Sequence, residues 1–147
     1  MSQTTHKINI LSRCQNIYRS FCLRDSGLGA PYYNYVLPIC HTPGLSQEQL
    51  ARRVCFDRYN VTRHLAKLEE WGYVERRADE EDKRQTLVYP TQKMLDLVPQ
   101  VRQCIHDWDT YLFDGLSAEE LEQFNSTLLK IAQRAREYVN SKDVIEG

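Results

Sequence analysis

The sequence predicts a mainly α-helical fold with one small β-hairpin, built as a single domain over residues 1–147. Three observations carry this prediction. Apolar residues recur at three- and four-residue steps along most of the chain, which is the spacing of amphipathic helices. Two Ser-x-x-Gln/Glu sequences, at 46–49 and 117–120, have the form of capping boxes at helix starts. Between them, two runs rich in β-branched and aromatic residues flank the charged segment 76–84, as in two strands joined by a turn.

Composition argues against several classes of protein. With 41% hydrophobic and 27% charged residues, and no run of about 18 apolar residues, the chain is not predicted to span a membrane. The polar opening residues lack the continuous apolar stretch of a secretory signal, so we expect a cytoplasmic location. A formal net charge of -1 argues against a generally basic nucleic-acid binder. Any basic surface must therefore be local.

Two helices are predicted before residue 45. The first, within 6–25, carries one apolar stripe, which consists of Ile10, Leu11, Cys14, Ile17, Tyr18, Phe21 and Cys22. The second runs from Pro31 to Cys40 and begins with a proline, at a position that needs no backbone donor. Pro38 is expected to disturb or shorten its last turn. This helix also carries an aromatic surface of three tyrosines, Tyr32, Tyr33 and Tyr35.

The third and fourth predicted helices follow each other closely. Ser46 with Gln49 is predicted to cap the third, and Asp57 the fourth. The buried face of the fourth helix is expected to consist of Val61, Leu65 and Leu68. Its opposite face is polar and aromatic, with Tyr59, Thr62, Arg63 and Ala66. Gly72 is placed to end this helix in a left-handed conformation.

The hairpin and two C-terminal helices complete the prediction. Strands are predicted at 73–76 and 85–89. A long helix is predicted from Thr91 to about Phe113, with a kink or a break at Pro99. A last helix then begins at the second capping box, and its apolar face consists of Leu121, Phe124, Leu128, Ile131, Ala135 and Val139.

Several short motifs lie together in this order. They are Leu-Ser-Gln-Glu-Gln-Leu-Ala at 45–51, Asp-Arg-Tyr-Asn-Val-Thr-Arg at 57–63, Leu-Glu at 68–69, Gly-Tyr-Val-Glu-Arg at 72–76 and Asp-Lys-Arg at 82–84. Through them the sequence resembles the MarR family of winged helix-turn-helix transcriptional regulators. It departs from the usual pattern at Tyr59 and Asn60, where small hydroxyl residues are common, and where the wing ends at Tyr89 and Pro90.

The resemblance implies an architecture and a set of partners. It implies a winged helix-turn-helix DNA-binding region at 31–90, flanked by dimerisation helices at 6–25 and 91–140. It further implies a homodimer that binds a palindromic operator in double-stranded DNA, as a repressor or an activator. A ligand or an oxidant would release the DNA. An alternative is a winged-helix interaction module without DNA binding, although the two cations Arg63 and Arg84 argue against it.

The candidate DNA contacts lie at the start of the third helix, on the fourth helix and on the hairpin. Arg63 is the leading candidate for reading a guanine edge, beside Tyr59 and Thr62. Asn60 is expected to read adenine or to hold a phosphate. The remaining helix candidates are Ser46, Arg58 and Lys67. The alternative is an ordinary solvated polar face.

On the hairpin, Arg84 is expected to enter the minor groove. The family's Asp-x-Arg motif implies that Asp82 orients its guanidinium, and Lys83 is expected to contact phosphate. The alternative for this motif is a surface ion pair that contributes about 0–1 kcal/mol to stability.

Two groups of residues are candidates for sensing a signal. Tyr18, Phe21, Tyr32 and Tyr35 could border a pocket for a small aromatic or phenolic effector, as in related regulators, although aromatics at helical spacing are more often core. Cys14 and Cys22 raise a redox-sensing alternative, against the more common inert buried thiol. The five cysteines are odd in number and scattered, so no disulfide framework is expected.

No pattern favours a metal, a cofactor or catalysis. His41 beside Cys40, and His106 near Cys104, match no compact ligand spacing. The sequence holds no glycine-rich phosphate loop and no nucleophile with a base at suggestive spacing. We therefore expect a protein that is not an enzyme.

Overall fold

A computed structural model describes residues 2–142 of the chain. The elements in chain order are α1 (Gln3–Cys22), a 3-10 turn (Arg24–Ser26), α2 (Ala30–His41), β1 (Leu45–Ser46), α3 (Gln47–Val54), α4 (Arg58–Glu70), β2 (Val74–Ala78), β3 (Thr86–Pro90), α5 (Gln92–Leu95), α6 (Val98–Leu112) and α7 (Ala118–Ser141). This is the predicted fold: mainly helical, with a small sheet that forms the wing of a winged helix-turn-helix.

The first two helices differ in detail from the prediction. α1 begins earlier than residue 6, because the Ser2 hydroxyl accepts a hydrogen bond from the Thr5 N–H at 3.1 Å and so caps the helix. α2 continues through Pro38 to His41, so the prediction of a shortened last turn was wrong. Val36 and Ile39, close to Pro38 in α2, are fully buried, and their packing holds the last turn in place although Pro38 has no backbone N–H to donate.

The hydrophobic core surrounds α2. We define residues 45–90 as the reading module. The fully buried side chains of the core come from this module and from the helices beside it. They include Tyr35, Ile39, Leu50, Leu65, Leu68, Val88, Met94 and Val101. Tyr33 and Tyr35 belong to this core, so only Tyr32 of the three tyrosines is partly exposed. The predicted aromatic surface is therefore largely interior.

The sheet has three antiparallel strands in the order β1-β3-β2. In β3, Val88 lies opposite Leu45 of β1 on one side and Arg76 of β2 on the other. β2 is thus an edge strand. β1 was not predicted, because two residues carry no alternating pattern that sequence inspection can detect.

Pro99 marks the predicted break in the long C-terminal helix. α5 ends at Leu95, and α6 begins at Val98 with the proline in its first turn. A proline is tolerated there because the first turn lacks helical acceptors for its N–H groups in any case. The break redirects the chain from the wing toward α1.

The outer helices α1 and α7 leave much apolar surface uncovered. Cys22 is the one buried residue of α1, and every residue of α7 is at least partly exposed. The exposed large apolar side chains on these two helices are Ile8, Ile10, Leu11, Ile17, Phe21, Phe124, Leu128, Leu129, Ile131 and Tyr138. Among the helices described, none is both long and apolar enough to cross a membrane.

One disulfide links two of these helices. Cys22, at the end of α1, pairs with Cys104 in α6, with their Cα atoms 6.2 Å apart. The scattered cysteines predicted no disulfide framework, and this single pairing was not anticipated from the sequence. Eighty-two positions separate the two residues, and only the packing of α6 against α1 brings them together.

Candidate nucleic-acid interface

The helix-turn-helix is held by caps at both helix starts. The Ser46 hydroxyl accepts from the Gln49 N–H at 3.1 Å, and the Gln49 side chain accepts from the Ser46 N–H at 3.1 Å, so the predicted capping box is present. Cys55 then ends α3 with a left-handed φ of 55°. Ser46 is buried, and its hydroxyl is occupied as the cap of α3.

Asp57 caps α4, as predicted. Its Oδ1 accepts from the Asn60 N–H at 2.8 Å, and its Oδ2 accepts from the Asn60 side chain at 2.6 Å. The backbone bond from Asn60 is the largest cause of the lowered pKa of this carboxyl. The negative charge at the N-terminus of α4 is thereby kept, which favours the helix dipole.

The outward face of α4 carries the leading candidate. Arg63 is exposed, and its Nη2 donates to Asn60 Oδ1 at 2.8 Å while the guanidinium lies 5.9 Å from the ring centroid of Tyr59. Tyr59 itself is 74% exposed. Asn60 therefore links the cap to Arg63, and it would have to exchange existing bonds in order to contact a base.

Three further candidates on α4 have local partners. Thr62 is exposed and donates its hydroxyl to the Arg58 carbonyl oxygen at 2.9 Å. Arg58 forms an ion pair with Glu48 of α3 at 2.9 Å, and Lys67 pairs with Glu70 at 3.6 Å. Exposed pairs of this kind are weak, so a phosphate can compete for either cation.

The wing places Arg84 far from the core. Its side chain is 91% exposed, and Asp82 Oδ1 accepts from both its N–H and its Nε, each at 3.1 Å. The side-chain bond from Arg84 is the largest cause of the lowered pKa of Asp82. Lys83 is exposed beside them. Asp82 thus holds the Arg84 side chain at the wing tip.

Sequence reasoning missed a bridge between the wing and α4. Glu69, near the end of α4, accepts from the Arg76 N–H at 2.8 Å, from its Nε at 3.3 Å and from its Nη2 at 3.1 Å. Arg76 Nη1 also donates to Gln47 Oε1 at 3.5 Å. The only sequence signal was a Glu and an Arg on either side of the turn, which resembles many other charged pairs in this segment.

A cleft of about 180 Å³ lies between the wing, α3 and α4. Its walls are Ser46, Gln47, Glu48, Arg58, Val61, Thr62, Arg84, Gln85 and Thr86. The cleft places the two cations Arg58 and Arg84 on one surface with several hydroxyl and amide groups, which are the groups that bind phosphate oxygens.

The four predicted effector residues fall into two groups with different partners. Tyr18 stacks on Trp108 of α6 with centroids 4.8 Å apart, and Phe21 is its neighbour on α1. Tyr35 is fully buried and shares a 2.8 Å hydrogen bond with Nδ1 of His64 in α4, and the Tyr32 ring contacts the same imidazole edge-on. Burial raises the pKa of Tyr35. The first group lies on α1 and contacts α6, and the second connects α2 to α4.

The remaining candidates stand apart from these groups. Cys14 is an exposed thiol on α1, whereas Cys22 is buried in its disulfide with Cys104. His41 Nε2 accepts a hydrogen bond from Arg102 Nη2 at 3.0 Å. Within residues 2–142, no three His, Cys, Asp or Glu side chains come together as a group that could hold a metal ion.

The capped helix pair, the exposed Arg63 and the projecting wing define a winged-helix DNA-binding regulator. The sequence pattern of the MarR family matches residues 26–85. A curated relative, the HTH-type transcriptional regulator BilQ of Clostridium symbiosum, is 31% identical over 116 residues, which cover 77% of this chain and 81% of the relative. The chain therefore belongs to the MarR family of transcriptional regulators.

The similarity extends beyond the reading module. The uncharacterized HTH-type transcriptional regulator YybA of Bacillus subtilis is 27% identical over 142 residues, with 95% of each chain covered. A MarR family regulator from Listeria monocytogenes, solved in complex with a 26mer DNA, is 20% identical, with a TM-score of 0.88 over 97% of this chain and 96% of that one. At this identity the solved structure shows the shared fold, outer helices included.

Proposed function

We propose that this regulator is a cytoplasmic homodimeric repressor that binds a palindromic operator through Arg63 and Arg84 and is released by a small-molecule effector. One observation carries the proposal: these two cations are exposed on two separate elements, the reading helix α4 and the wing tip, and each is oriented by a neighbouring side chain. Such a pair suits simultaneous contact with a major groove and the adjacent minor groove. The DNA complex of the Listeria relative supports the same use of the fold.

In this proposal α4 lies in the major groove. Arg63 donates to a guanine edge, and Tyr59, Asn60 and Thr62 contact the neighbouring bases or phosphates. Arg58 and Lys67 contact phosphates on either side. Arg84 enters the minor groove while Asp82 holds it, and Lys83 neutralises a phosphate. Two copies would place their reading helices about one turn apart, roughly 34 Å.

A gel-shift series at several salt concentrations tests this interface, with operator recovered by selection from random DNA. Arg63→Ala is expected to relax the preference at one base position by about 1–3 kcal/mol. Arg84→Ala is expected to weaken binding to all sequences and to flatten the salt dependence. Arg13→Ala removes an exposed guanidinium from α1 and serves as the control. If both interface variants bind as the control does, the proposed interface is wrong.

The homodimer is proposed from the apolar faces of α1 and α7. Side chains such as Ile17, Phe21 and Leu129 are exposed in the single chain, and exposed apolar patches of this kind mark protein–protein interfaces. A second copy would cover these faces in a symmetric interface. Light scattering of the purified protein is expected to give a mass of about twice 17.3 kDa. A monomer at micromolar concentration would contradict the proposal.

The effector is proposed to bind between α1 and α6, where Tyr18 stacks on Trp108. Arg19 lies nearby as a half-buried cation, and its guanidinium is 5.3 Å from the ring centroid of Tyr33. An aromatic acid suits such a place, because its ring can stack while its carboxylate pairs with the guanidinium. Titration with 4-hydroxybenzoate is expected to change the Trp108 fluorescence and to release DNA.

Two variants separate this response from a general effect of the acid. Trp108→Phe should lose the fluorescence change while it retains DNA binding, and Trp71→Phe is the matched control on α4's C-cap. An unchanged Trp108 signal with DNA still bound at saturating acid would argue against this effector class.

A second candidate function is redox sensing, and the pairing of Cys22 with Cys104 favours it. Two thiols that lose two protons and two electrons to a peroxide form the disulfide, and the peroxide is reduced to water. The bond would fix the end of α1 to α6 and so change the geometry of the outer helices. DNA affinity of the reduced and the peroxide-treated protein should then differ in the wild type and in Cys14→Ser, but not in Cys104→Ser. Equal affinity in both states would exclude this candidate.

A further inference from the structure

The bridge between Glu69 and Arg76 connects the wing to the reading helix by three hydrogen bonds to one carboxylate. Two of them come from the fork of the guanidinium, and one comes from the backbone of β2. The Arg76 side chain is only 24% exposed, against 91% for Arg84 at the wing tip. Because Glu69 accepts from both the planar guanidinium and the backbone N–H of Arg76, it fixes the orientation of Arg76 as well as its distance.

The backbone bond occurs at the free edge of the sheet. β2 pairs with β3 on one side only, and Arg76 lies opposite Val88 in that pairing. Its N–H instead points to Glu69, which supplies the acceptor that an edge strand lacks. The bond from this N–H is also the largest cause of the lowered pKa of Glu69, so the carboxylate stays ionised at neutral pH. Glu69 therefore closes the edge of the wing against α4.

The same guanidinium reaches the start of α3. Arg76 Nη1 donates to Gln47 Oε1 at 3.5 Å, and Gln47 Nε2 donates to the Thr62 hydroxyl at 3.4 Å. Thr62 lies on the outward face of α4, one residue before Arg63. A continuous path of polar contacts thus runs from the wing strand to the DNA-facing side of the reading helix.

We propose that Arg76 and Glu69 are positioning residues, which set the angle of the wing against α4 so that Arg84 and Arg63 contact adjacent grooves together. Neither residue needs to touch DNA for this role. The inference rests on the proposed interface, because it assumes that Arg63 and Arg84 are the contacts. It adds that the bridge fixes where the wing, and with it Arg84, lies relative to α4, which a hairpin on a flexible connection would not do.

The chain offers a matched control pair on the same strand. Glu75 pairs with Arg77 at 2.8 Å, with side chains that are both about 60% exposed, and both residues belong to β2. Glu75→Gln therefore removes one negative charge and weakens one ion pair, as Glu69→Gln does. It leaves the connection between the wing and α4 intact.

A double-mutant cycle tests the inference by gel shift on the selected operator. Glu69→Gln keeps one acceptor oxygen but replaces the other with an NH2 group, so one partner of Arg76 is lost. It is expected to weaken operator binding by about threefold to tenfold in the wild-type and Arg63→Ala backgrounds. In the Arg84→Ala background the effect should fall below about twofold, because the wing contact that it positions is already absent. Arg76→Lys, which keeps the charge but not the fork, should follow the same pattern.

The outcomes distinguish a failure of the positioning role from a failure of the proposed DNA interface. If Glu69→Gln weakens binding by the same factor in all three backgrounds, or no more than Glu75→Gln does, the positioning role is wrong while the interface stands. A thermal midpoint that falls together with an equal loss in every background would identify a merely structural role. If Arg63→Ala and Arg84→Ala themselves bind as the wild type does, the interface is wrong and this inference goes with it.

Discussion

Helix α4 of the reading module and helix α7 are both amphipathic, but their apolar faces differ in burial. In α4, Val61, Leu65 and Leu68 are buried within the chain, with Leu65 at 0% exposure. In α7, Leu128 lies at the equivalent place in the pattern and is 41% exposed. The apolar spacing is the same in both helices, yet only the apolar face of α4 is buried against other parts of the chain.

The difference shows which part of the chain is complete by itself. The helices and the wing of the reading module pack against one another and against α2, so the geometry of the module is set by a single chain. The outer helices have apolar faces that are exposed in the single chain. In the proposed homodimer a second copy would cover them, so the spacing of the two reading helices would depend on the outer helices, and a signal that moves those helices would change it.

The largest expected effect is in the core of the reading module. Leu65→Ala is predicted to lower the free energy of unfolding by about 2–5 kcal/mol, because a fully buried leucine leaves a cavity between α4 and its neighbours. Urea denaturation measures this loss. Glu70→Ala, on the exposed side of the same helix, should change the stability by less than about 0.5 kcal/mol. A small loss for Leu65→Ala would mean that this core is not closed.

The same substitution in α7 sharpens the comparison. Leu128→Ala is predicted to cost more than about 1 kcal/mol, and to do so through dimer dissociation. For a protein that unfolds as a dimer, each tenfold dilution lowers the apparent stability by about 1.4 kcal/mol. Sedimentation velocity across a dilution series should therefore show Leu128→Ala dissociating at a higher concentration than wild type. Identical profiles for the two proteins would argue that α7 has no such partner.

The two capping boxes should behave alike although they lie in the two different regions. Ser46→Ala and Ser117→Ala are each predicted to cost about 0.5–2 kcal/mol, since each hydroxyl satisfies an amide in a first helical turn. Chemical denaturation at one protein concentration measures both. Ser126→Ala, in the exposed middle of α7, is the control and should be neutral or slightly stabilising.

The smallest expected effect is a pH dependence confined to the reading module. Burial, and then the positive charge of Arg63, lower the pKa of His64, while Asp57 opposes them. The neutral form is thus favoured in the folded state. Its stabilisation is complete above about pH 6.5, the unfolded value, and is lost as the pH falls through the lowered folded pKa.

The drop in thermal midpoint between about pH 7.5 and about pH 5.5 should therefore be smaller in His64→Gln than in wild type. Gln keeps a hydrogen-bonding group for Tyr35 but does not titrate. His106→Gln, on the exposed surface of α6, is the control for the loss of one histidine. An equal drop in all three proteins would contradict the prediction.

Local signals predicted the elements well, and long-range contacts escaped them. The caps at Ser46, Asp57 and Ser117 and the break before Pro99 are decided by a few neighbouring residues, so they could be read directly. The Glu69–Arg76 bridge and the Cys22–Cys104 pair depend on how distant elements pack. A charged pair or a cysteine in the sequence does not specify its partner, because many pairings are compatible with the same helices.

In the candidate site, too, the sequence predicted local features but not the contacts between distant elements. The sequence and the family resemblance placed Arg63 and Arg84 outward, and both are exposed. They grouped Tyr18 with Tyr35, whereas the tertiary structure gives the first a partner in α6 and the second a partner in α4. Helical periodicity indicates that a side chain faces inward, but not which neighbouring helix it meets.

By itself, then, the sequence determined the capped starts of α3, α4 and α7 and the apolar faces of the amphipathic helices, since caps and periodicity act within a few residues. Only the tertiary structure decided which apolar faces meet within the chain, how the wing is joined to α4, and which cysteines pair. These depend on the directions in which whole elements pack, and those directions are fixed by many weak contacts between residues far apart in the chain.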